Sequence, residues 1–157
     1  MNFLRLFAIA LVALIAVPAF AQDKPANNME ILRQKIKADK KLLVAANMDL
    51  TESEAKGFWP VYDSFQADLQ ALNERLGKLI VRYADLYKAR TLTDDAAKSL
   101  MDEALAIEQA EVNLKQAYVP KLAAALPATK VARYLQIENK IRAVIKYELA
   151  DGIPLVP

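Results

Sequence analysis

From Phe58 onward, apolar residues return along the chain in alternating steps of four and three: Phe58, Tyr62, Phe65, Leu69, Leu72, Leu76, Leu79, Tyr83 and Leu86. That is a heptad seam, the pattern of a long helix packed at a shallow angle on another, as in a coiled coil. Unbroken to Arg90, such a helix is about 58 Å long at 1.5 Å per residue. Pro60 lies within its first turns and is expected to kink it, since the ring removes one N–H and crowds the preceding turn. The start is marked by Leu50-Thr51-Glu52-Ser53-Glu54. Thr51 can accept from the open backbone N–H groups, and Glu54 can return the bond as a capping box.

Three further helices follow from the same kind of pattern. Met29 to about Asn47 carries Met29, Leu32, Ile36, Leu43 and Ala46 on one face. Leu92-Thr93-Asp94-Asp95 opens another, with threonine as cap and acids at the positive end of the dipole. Its stripe is Leu100, Ala104, Ile107, Leu114, Tyr118 and Leu122, and Pro120 is expected to bend its end. Leu126-Pro127 starts the last helix, with Val131, Leu135, Ile141, Ile145 and Leu149 recurring until Asp151-Gly152. Leu50–Lys56 and Leu92–Lys98 match in Leu, Thr, Ala and Lys, 42 residues apart. That echo is read either as an internal repeat or as convergent capping. The expected fold is all-α: about four helices in long antiparallel hairpins, because short connections make consecutive helices antiparallel neighbours.

Residues 1–21 stand apart. Arg5 is followed by an apolar run from Leu6 to Val17, then Pro18 and the small-x-small site Ala19-Phe20-Ala21. These are the parts of a cleaved secretory signal. The run is shorter than the ~20 residues that span a bilayer, which weighs against a membrane anchor. Removing it leaves 136 residues with 20 basic against 19 acidic side chains. Much of the 55% hydrophobic content leaves with it. Residues 22–28 read as a disordered lead-in, and 29–157 as a single exported helical domain.

The chain has Cys 0 and His 0. Thiol nucleophiles, Ser/His/Asp triads, zinc fingers and disulfides are therefore excluded. Only carboxylates, Lys, Tyr and hydroxyls remain, and no paired-acid motif joins them. The expectation is a protein that is not an enzyme, with no catalytic residues, metal or cofactor. Glu108 and Glu111 stand i,i+3 on one helix, a spacing normally turned to solvent and poor for a transition metal without histidine. Glu138 interrupts an apolar face, and an i,i+4 ion pair with Arg142 accounts for it better than catalysis.

Arg33, Lys35, Lys37, Lys40 and Lys41 make the first helix basic, with Asp39 the only acid among them. Such a face suits anionic lipid or acidic partner surfaces; it is equally a solvated face balancing Asp94, Asp95, Asp102 and Glu103. Near-neutral charge and export weigh against nucleic acid. As client-binding candidates the sequence offers Arg33, Lys37, Lys40 and Lys41, and also Trp59. Phe58, Tyr62 and Phe65 sit on the seam and read as core, whereas Trp59 lies at its edge. The tail Ile153–Val156 is apolar enough to be expected to pack on the bundle or on a second subunit.

The signal, the long helices and the Leu-Thr helix starts at Leu50-Thr51 and Leu92-Thr93 resemble the periplasmic LTxxQ-motif proteins, the Spy and CpxP family. The first start runs into Phe58-Trp59-Pro60-Val61-Tyr62. Arg133-Tyr134-Leu135-Gln136-Ile137-Glu138-Asn139-Lys140, Glu148-Leu149-Ala150 and Ile153-Pro154-Leu155-Val156 are similar to a separate branch of the group. The likeness covers most of residues 45–156. The family glutamine is Glu54 in the first motif and Ala96 in the second, and Leu126-Pro127 lacks the threonine. The resemblance implies a helical, often dimeric, cradle-like periplasmic protein of the envelope stress response. Such a protein binds partly unfolded envelope clients, or a membrane sensor kinase, without ATP. Zinc-binding relatives use histidine or cysteine, absent here. The alternative is a structural or adaptor protein that assembles with itself or with a membrane sensor.

Overall fold

A computed structural model describes residues 39–156. The signal, the lead-in, the start of the first helix at Met29 and the basic residues Arg33, Lys35 and Lys37 lie outside the described residues. The fold is all-α, with four helices and no strand among the described residues. They are α1 (39–48), α2 (Glu52–Ala89), α3 (Asp94–Ala123) and α4 (Ala128–Gly152). Two compact units result, one from α1 and α4 and the other from α2 and α3.

Local chemistry sets the helix limits. Asp49 takes a left-handed φ of 48° and ends α1. Thr51 Oγ1 accepts from the Glu54 backbone N–H at 3.3 Å, and a Glu54 carboxylate oxygen accepts from the Thr51 N–H at 2.8 Å. The capping box that opens α2 is thus formed, with Leu50 half-buried beside it. The helix then runs 38 residues without a break, with Pro60 inside it. It stops where Arg90 turns left-handed with φ 57°, its N–H donating back to Leu86 and Tyr87. Thr93 caps α3 in the same way, accepting from the Ala96 N–H at 3.3 Å, with Leu92 half-buried.

In the α2–α3 unit the two helices run antiparallel, as cross-links along their length show. Near one end a Cβ on Gly57 would stand 2.9 Å from the Ala125 Cβ, so only glycine permits this approach. Further along, the Phe65 and Tyr118 rings meet edge to face at 5.3 Å. Towards the α2–α3 turn, Arg75 grips Glu103 through two hydrogen bonds, and Arg82 donates to Ser99 at 3.2 Å. The seam is not uniformly covered. Phe58, Tyr62, Phe65 and Leu69 are buried, whereas Leu72, Leu76, Leu79, Tyr83 and Leu86 are only half-buried. Opposite the second half, α3 offers the small Ala96, Ala97 and Ala104, which shield large side chains incompletely.

In the α1–α4 unit, Lys40, Val44 and Met48 are buried at i+4 spacing. This corrects the sequence-based face: Leu43 is half-buried and Ala46 exposed. On α4 the buried positions are Val131, Tyr134, Glu138, Arg142 and Ile145, so the inner face includes two charged residues. Lys130 donates to the Asp49 carbonyl at 2.6 Å and Arg133 to the Asn47 carbonyl at 3.3 Å. Both cations thereby satisfy carbonyls at the C-terminal end of α1, where the helix dipole also favours them.

Candidate functional site

Three places concentrate chemistry. The first is the ion pair inside the α1–α4 unit. Lys40 Nζ donates to a Glu138 carboxylate oxygen at 2.8 Å, and Glu138 is 1% exposed. Burial pushes the Lys40 ammonium below the usual lysine range, and the Glu138 carboxylate opposes that shift. Arg142 is buried in the same unit and pushes the Lys40 pKa in the same direction as burial. Lys40, 98 residues away, is thus a partner of Glu138 that the sequence did not suggest beside Arg142 one turn on. Lys40 itself is corrected as a client contact: its charged end is enclosed and bonded, and does not meet solvent. Lys41 is half-buried and keeps a face to solvent.

The second place is the aromatic cluster at the start of α2. Trp59 is half-buried, edge-on to Phe58 at 4.9 Å and to Tyr62 at 5.4 Å. Phe58 and Tyr62 are core, so the indole is held by fixed rings and presents its remaining surface outward. Across the unit, the Tyr118 hydroxyl donates to Asp68 at 2.6 Å, with the Lys121 ammonium 4.1 Å above its ring. Burial first, and then the Asp68 hydrogen bond, push the Tyr118 phenol up to about 12. A phenol raised in the folded state ionises first in the unfolded chain. Its contribution to stability is therefore full below about pH 10 and is lost as pH climbs towards 12. Alkaline absorbance titration should show a late phenolate step near pH 12 that Tyr118→Phe abolishes. A variant with the same late step would place that titration elsewhere.

The third place was not singled out in the sequence. Met101, Leu105, Val112 and Val119 are exposed on α3, at spacings of four, seven and seven. Met101 is 56% and Leu105 58% exposed. The spacing puts them on one stripe, about a quarter turn round α3 from the buried Leu100, Ile107 and Leu122. Gln109 and Asn113, hydrogen-bonded at 2.9 Å, flank the stripe, as do Lys98 and Asp102, paired at 2.6 Å. α3 is thus apolar on two sides. The inner face also holds Glu111, buried and bonded to Lys115 at 2.8 Å, which corrects its expected solvent-facing position.

The Arg75 guanidinium beside Glu103 holds that carboxyl below the usual carboxylate range, so the pair is ionised at neutral pH. Among the described residues no three Asp or Glu side chains are grouped as a metal site would need. In the tail Ile153 is half-buried, while Leu155 and Val156 are exposed rather than packed on the bundle of this chain. The chain matches no family model, no curated protein and no solved structure.

Proposed function

We propose that this protein is a non-catalytic binder of partly unfolded polypeptides, a periplasmic chaperone of the Spy and CpxP type working without ATP or any cofactor. The exposed stripe Met101, Leu105, Val112 and Val119 carries this reading. Monomeric proteins seldom leave large aliphatic side chains aligned in solvent without a use for them. A methionine and three aliphatics framed by amides and ion pairs make a surface that adapts to many sequences rather than one. Charges supply the approach. Arg33, Lys37 and Lys41 favour net-acidic clients by long-range attraction, which speeds encounter more than it adds affinity. Trp59 offers an aromatic contact at a second point.

Trp59 is the single tryptophan and reports on its own surroundings. A reduced, unfolded client should shift its emission saturably, while the same client in its folded form should not. An unmoved spectrum with the unfolded client would remove Trp59 from the binding surface. A second reading has its own observation. The half-covered run Leu72, Leu76, Leu79, Tyr83 and Leu86 suits a structural or adaptor protein that assembles with itself or with a membrane sensor. A stable homodimer by sedimentation that leaves client aggregation untouched would favour it.

A further inference from the structure

α4 carries a surface that neither the core nor the α3 stripe uses. From Thr129 to Tyr147 its only acid is Glu138, which is buried with Lys40. Every solvent-facing charge along that stretch is therefore positive: Arg133, Lys140 and Lys146 are exposed and Lys130 half-buried. Arg133, Lys140 and Tyr147 recur every seven residues and so line one face, opposite Glu138, with Lys146 to its side and the exposed Asp151, one turn past Tyr147, as its one acid. Tyr147 is 71% exposed. Beyond the helix, Ile153-Pro154 leads to Leu155, which is 89% exposed.

We propose that this face of the α1–α4 unit docks the protein on the surface of an anionic phospholipid bilayer. Cations over lipid phosphates, an aromatic ring at headgroup depth and one protruding aliphatic side chain are the parts of a peripheral membrane contact. An acidic polypeptide would use the cations but leave Tyr147 and Leu155 without an apolar medium to receive them. The contact is peripheral by construction, since no helix among the described residues is long and apolar enough to cross a membrane. Each cation near such a surface strengthens binding by about fivefold, and salt screens the attraction.

The test is co-sedimentation of the purified chain with vesicles of phosphatidylglycerol and phosphatidylcholine, against pure phosphatidylcholine, at low and high salt. The expected result is binding to the anionic vesicles that salt weakens, with little on phosphatidylcholine. K140Q/K146Q should bind at least about tenfold more weakly. L155S should weaken binding equally at both salt concentrations. K140Q alone repeats the charge test, at about fivefold, should the double variant lose its helical circular dichroism. Equal binding to both vesicle types, undiminished binding of the charge variants, or capture of a soluble acidic polypeptide without any vesicle binding would overturn the proposal.

Discussion

Glu138→Ala is expected to destabilise the protein by about 3–5 kcal/mol, the range for removing one partner of a buried ion pair. The Lys40 ammonium would remain enclosed with the Glu138 carboxylate gone and Arg142 nearby, so two like charges would share a site that had lost that carboxylate. The pair itself is a different matter. Buried ions regain little net energy from each other, so K40M/E138L/R142M, which removes the buried Arg142 charge along with the pair, should fold with stability close to the native chain or above it. Urea unfolding followed by helical circular dichroism measures both variants. A loss below about 1 kcal/mol for Glu138→Ala would mean that water reaches the site and that the carboxylate is not enclosed.

Phe65→Ala should cost about 3–5 kcal/mol, because the ring is fully buried and its loss leaves a void against Tyr118. Leu79→Ala, about three helical turns beyond the buried block, should cost about 1 kcal/mol, the middle of the range for point substitutions. Both residues sit on the same heptad seam, so the contrast isolates coverage from pattern. Equal costs would show that something covers the second half of the seam in solution. A second copy of the chain is the first occupant to test, by repeating the unfolding at several protein concentrations.

The parts legible in the sequence are those fixed by neighbours in the chain. Thr51 and Glu54 are three residues apart, and the bonds they exchange depend on nothing else in the molecule. The same holds for Thr93 and for the Gly152 end of α4. The inner face of α2 was equally open to reading, since nine matching positions define one stripe. α1 was harder: its ten described residues make fewer than three turns, too few to fix a face by periodicity, and the face assigned to Leu43 and Ala46 lies more than a third of a turn from the true one at Lys40, Val44 and Met48.

What stayed hidden depends on which helices become neighbours. Lys40 reads as one cation in a basic run, and Glu138 as an acid one turn before Arg142. Only the antiparallel packing of α1 on α4 brings the two together across 98 residues. Glu111 is a similar case: it is buried on the covered side of α3, where Lys115 of the same helix bonds it. The outer stripe was different. Met101, Leu105, Val112 and Val119 were visible at helical spacing, but a helix with one satisfying apolar face already assigned gives no reason to look for a second. Burial shows which of the two stripes the partner helix covers and leaves the other exposed, where we propose that an external ligand binds.

That external ligand is the centre of the account, and one measurement addresses it most directly. A chemically denatured client is diluted into buffer without nucleotide, with and without an equimolar amount of the mature protein, and its aggregation is followed by light scattering. The account predicts suppressed scattering, with the suppression reduced when Met101 and Leu105 are both replaced by serine. Scattering that rises equally with and without the protein would contradict it.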